Sequence, residues 1–119
     1  MRLLLMLLTL LAIPMTWAAE NAHPALTEIY YQREVIGYCG LGAQGLKEGF
    51  HKELAFLMSE HNLGENAKLP ARDQAYKDAY AEWNNRGLGG FRKWCQTEGF
   101  DAVERFSGIR LQAPKRQSQ

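Results

Sequence analysis

Cysteine is scarce in this 119-residue chain, with only two copies, and histidine is hardly commoner at three. Neither Cys-x-x-Cys nor Cys-x-x-Cys-His occurs, so the dithiol redox and c-type haem motifs are absent. Three scattered histidines do not make a recognisable metal set with the cysteines. Charge of one sign is missing as well. Without Arg2, 13 basic side chains face 13 acidic ones, which argues against a general nucleic-acid binder. No segment alternates apolar and polar residues in the manner of a strand, and no internal repeat is visible. The only long apolar run lies at the amino end.

That run defines the first segment. Met1-Arg2 carries one positive charge, Leu3 to Ile13 is apolar apart from Thr9, and Pro14 interrupts it. Thr16-Trp17-Ala18-Ala19 then precedes the first acid, Glu20. The order of charge, apolar run and small residues is that of a secretory signal peptide over residues 1–19, cleaved after Ala18 or Ala19. As a helix the run reaches roughly 16 Å, about half of a ~30 Å hydrocarbon core, so a permanent membrane span is not expected. The expected address is outside the cytoplasm: periplasmic if the source is a Gram-negative bacterium, secreted otherwise.

An exported chain meets an oxidising compartment, where two cysteines are expected to form one disulfide, Cys39–Cys95. Closing a loop of about 57 residues contributes roughly 4 kcal/mol on the chain-entropy model. The remainder reads as a single helical domain over residues 20–111, followed by a polar tail, 112–119, that contains Pro114.

Within the domain, Pro24 suits a helix start, with Ile29, Val35, Ile36 and Cys39 available for burial before Tyr38 ends the first run. His23, just before it, belongs to a lead-in with no assigned structure. Glycines cluster at 37, 40, 42, 45 and 49, and two outcomes stay open. Either the helix breaks near Gly40–Gly45, or it continues with a glycine face against a close neighbour. Gly45 to His61 forms a second amphipathic helix, with Leu46, Phe50, Leu54 and Leu57 in one stripe and a left-handed stop at Asn62-Leu63-Gly64. Pro70 opens a third helix, whose expected buried side is Tyr76, Ala79, Tyr80 and Trp83. Asn84-Asn85-Arg86-Gly87 punctuates the chain. A fourth helix is expected over Leu88 to Glu98, with Leu88, Phe91 and Cys95 aligned, closed by Gly99. Asp101 and Glu104 resemble a capping box for a short last helix through Phe106. The fold class is therefore all-α, a small bundle of four to five helices stapled by one disulfide.

Chemistry is thinly marked. Glu48 and His51 share the Glu-x-x-His spacing of di-iron bundles, but only one copy exists, and His61 suits a helix end better than a metal. These three are the weak metal candidates, and no cofactor motif is legible. Gly87-Leu88-Gly89-Gly90 runs into Phe91-Arg92-Lys93, so Arg86, Gly87, Gly89, Gly90, Arg92 and Lys93 form a candidate anion or partner surface. A turn needing positive φ is the simpler account of its glycines. The serines lack a nucleophile elbow, and a disulfide withdraws both cysteines from nucleophilic work. Most of the aromatics are expected in the core; several of them exposed beside Arg86 and Arg92 would instead mark a binding surface. The reading that follows is a non-enzymatic interaction domain of the cell envelope, of the chaperone, inhibitor or immunity type, whose partner is a protein. A metal- or anion-binding carrier is the alternative, and a small enzyme comes last.

Overall fold

A computed structural model describes residues 21–108, all of them helical or in connecting turns, with no strand among them. The expected signal peptide, 1–19, and the polar tail, 112–119, lie outside the described residues. The all-α bundle carries one disulfide, Cys39–Cys95, with Cα atoms 5.5 Å apart. Among the described residues no helix is long and apolar enough to cross a membrane.

Helix α1 spans Pro24–Tyr38 and buries Leu26, Ile29, Tyr30, Val35 and Ile36. Its start is anchored by His23, which takes no part in a loose lead-in. The His23 Nδ1 accepts from the Ala25 N–H at 3.3 Å, meeting one of the donors a helix leaves unpaired. The glycine cluster does break the chain here. Gly40 takes φ +62°, the Leu41 N–H donates to the Ile36 carbonyl, and the Gly40 N–H donates to Gly37. Those two bonds make a Schellman stop. Gly45, at φ +91°, then precedes α2, Leu46–Glu60, which buries Leu46, Phe50, Leu54 and Leu57 as the stripe predicts. Asn62, at φ +53°, ends α2 through the same pair of bonds, from Leu63 to Met58 and from Asn62 to Ser59.

The third helix starts earlier than Pro70. A 3₁₀ turn at Glu65–Ala67 leads into α3, Lys68–Asn85, so Pro70 falls within its first turn, where its missing N–H is tolerated. The Asn84-Asn85 pair lies inside α3, and a single bend at Arg86 leads on to α4, Gly87–Trp94. Gly99 does not close the fourth helix. A π-helical turn, Cys95–Gly99, carries it directly into α5, Phe100–Ser107. Asp101 therefore caps nothing, because α5 has no free start and Gly99 itself keeps helical angles.

The core is a single cluster shared by α1, α2, α3 and α5. Tyr30, Phe50 and Phe106 meet edge to face at 5.3 and 5.6 Å, each such pair worth about 0.5–1.5 kcal/mol beyond burial. Arg105 of α5 ties three helices together, reaching Gln32 at 2.9 Å, Glu53 at 3.4 Å and Glu28 at 3.6 Å.

Candidate functional site

Helix α3 departs most from expectation. Its buried line is Ala71, Ala75 and Ala79, each fully enclosed, and of the four residues expected inside only Ala79 is. Small side chains at every fourth position let α3 lie close along α1. The large side chains sit about 100° further round the helix. Tyr76 is 58 % exposed, Tyr80 49 %, Trp83 43 %, and Leu69 continues the line at 62 %. Positions 69, 76, 80 and 83 fall within an arc of about 60°. One face of α3 is thus an apolar, largely aromatic ridge in contact with water.

The upper end of this ridge is held firmly. Trp83 stacks on Tyr38 of α1, with centroids 5.5 Å apart and planes at 19°. Tyr38 also approaches Trp94 at 6.1 Å, and Trp94 is buried. Arg86, at the bend between α3 and α4, bonds Glu82 at 2.6 Å and lies over the Trp94 ring, 5.2 Å from its centroid. That cation–π contact pins the bend and occupies the guanidinium within the fold. Arg86 therefore joins the aromatic group mainly as a support.

The other residues marked by sequence lie on α4, on α2 and at the end of α2. Gly87, Gly89 and Gly90 lie in the first turn of α4, in helical conformation and not in a positive-φ turn. Arg92 and Lys93 are exposed in its last turn. The side chain of Leu88 lies outside the described ones; Phe91 is half-buried, 6.0 Å from Trp94. Glu48 and His51 are exposed on α2, while His61 ends that helix with its ring 4.7 Å from His23. Among the described residues no group of three or more His, Cys, Asp or Glu side chains is placed to hold a metal.

Sequence reasoning missed a polar cluster beneath the disulfide. The Tyr31 hydroxyl donates to Glu98 Oε2 at 2.7 Å, and the Trp94 indole N–H donates to the same oxygen. Burial first, and the bond to Glu98 second, push the Tyr31 phenol up to about 12. Glu98 belongs to the π turn and stands four residues after Trp94. The i,i+4 spacing of Trp94 and Glu98 was legible, but Tyr31 joins them from α1, 67 positions away from Glu98, which no spacing rule finds.

Compared with protein-family models, curated proteins and solved structures, the chain matches none. The site therefore rests on its own geometry.

Proposed function

We propose that the mature domain is an exported, non-enzymatic interaction protein that holds a protein partner of the cell envelope against the ridge of α3. The observation that carries this reading is the line Leu69, Tyr76, Tyr80 and Trp83, exposed together on one helix face. Tyr and Trp dominate binding hot spots because each offers a large rigid surface with a polar tip. Three aromatics about half exposed, with Leu69, present roughly 400 Å² of largely apolar surface, more than scattered single residues would. The alanine line supports the same view. It lets α3 lie against α1 on small side chains, so that of the ridge only Trp83 stacks on α1 while Leu69, Tyr76 and Tyr80 keep about half or more of their surface in water. The amino-terminal residue order and the disulfide both accord with export.

A photo-crosslinking residue placed at Tyr80 tests the reading in intact cells, with the same residue at exposed Lys52 as control. The expected result is a discrete protein adduct from position 80 alone, lost when Leu69 and Tyr76 are both replaced by serine. Adducts shared by both positions, or none from position 80, reject it.

A further inference from the structure

A second site, sharing no residue with the ridge, lies on the other side of α1. The last turns of α1, the loop at Gly42–Ala43, the first turns of α2 and Phe106 of α5 enclose a cleft of about 360 Å³. Its walls are Ile36, Leu46, Phe50 and Phe106, all buried members of the core. Its rim carries Arg33, Lys47 and His51, and among the described residues no acidic one lines it. We propose that this cleft binds a small amphipathic carboxylate, with the apolar body on the aromatic floor and the carboxylate among the rim cations.

Arg33 is the anchor. Its guanidinium lies 4.7 Å from the centroid of the Phe50 ring and 5.0 Å from that of Tyr30, so two aromatic faces hold it in place. Its one ion pair among the described residues is with the neighbouring Glu34, at 3.9 Å, beyond hydrogen-bond length. The planar fork is therefore oriented without being bound tightly, the state in which it takes a carboxylate through two parallel bonds. Lys47 forms no ion pair among the described residues, and Glu48, its neighbour in sequence, does not line the cleft. His51, one turn after Lys47 on α2, adds a third nitrogen-bearing group, its ring 5.5 Å from Phe50.

Size and charge select the class. The volume falls near the lower end of small-molecule sites, which begin at about 300 Å³, and suits a medium-chain acyl acid. A polyanion is a poor fit, because only two cations, Arg33 and Lys47, stand at a predominantly apolar opening and the chain beyond Arg2 is neutral overall. The small residues of the loop keep the mouth open. A Cβ on Gly42 meets nothing within 4 Å, and its backbone does not need glycine, so a bulky side chain there can plug the cleft without disturbing the fold.

Titration calorimetry of the mature domain with decanoate, and with 1-decanol as the uncharged control, tests the site. Saturable one-to-one binding of decanoate is expected, roughly tenfold or more tighter than decanol, as one charge-assisted pair implies. Arg33→Gln and Lys47→Gln are each expected to weaken it by about the same factor. Gly42→Phe is expected to abolish it with thermal unfolding unchanged. Lys47 is exposed, so its variant keeps the test independent of folding. No saturable binding, equal affinity for decanol, or full affinity in both the Lys47 and Gly42 variants overturns the proposal. None of these outcomes bears on crosslinking at Tyr80.

Discussion

At the scale of single residues, Gly49 fixes how near α2 comes to the end of α5. A Cβ there would fall 1.6 Å from the Phe106 carbonyl oxygen, and backbone cannot give way as a side chain tip can. Gly49→Ala is expected to cost about 3 kcal/mol, read as a fall in the urea midpoint with an unchanged slope. Gly37 has the same residue type and the opposite expectation. It lies within α1 with nothing within 4 Å of its missing Cβ, so Gly37→Ala should stabilise by about 0.5–1 kcal/mol. Sequence leaves two outcomes open for this glycine cluster, a break near Gly40–Gly45 or a continuous helix with a glycine face against a neighbour. The helix breaks, at Gly40 and Gly45, and does not continue; a close approach is found only at Gly49, within the separate helix α2. The letter G records only that a Cβ is missing. Whether a bend or a neighbour requires that depends on chain that lies far away in sequence.

At the scale of elements, α2 was legible because its large apolar residues follow one helical period and its stop carries Asn62 at the left-handed position. Helix α3 was misread because burial was assigned by size, whereas its contact with α1 uses alanines. The candidate ridge was thus visible as residues and invisible as a surface. The α4–α5 region failed for a different reason. On a regular helix, Trp94 and the buried set Ala102, Val103 and Phe106 point roughly 80–180° apart, which looks like two helices with a break. The π turn absorbs one extra residue and brings both onto one side without a break. It also leaves Gly99 against the disulfide, where a Cβ would come within 2.9 Å of Leu41. The Tyr31–Glu98 bond formed by this turn has a measurable signature. An unfolded tyrosine ionises near pH 10, and Tyr31 near 12 in the fold, so its contribution is intact below about pH 10 and lost as pH climbs through 12. In an ultraviolet titration Tyr31 should be the last phenol to ionise. Tyr38, also raised and first by desolvation, makes the Tyr31→Phe control necessary. That variant is expected to lose the late step and to flatten the alkaline loss of stability.

For the molecule as a whole, the disulfide joins the end of α1 to the start of the π turn, 56 positions on. Replacing Cys39 and Cys95 together by serine is expected to lower stability by about 4 kcal/mol. In a domain of this size that corresponds to roughly 15–30 °C in a thermal melt. Reduction of the native protein should produce the same shift; a change under a few degrees would mean that the packing of α1 against α5 and the π turn holds the two ends unaided. The pairing was legible from the count of two cysteines and the expectation of export, without any knowledge of where the helices pack. The bond has one more consequence. Both α2 and α3, and with them the whole aromatic ridge, lie inside the covalent ring. A protease that cuts the exposed link at Asn62 or Gly64 leaves two chains but still one molecule, each half carrying part of the core. Such a nicked form migrates intact until a reductant separates it, so the ring guards the molecule's wholeness as well as its stability.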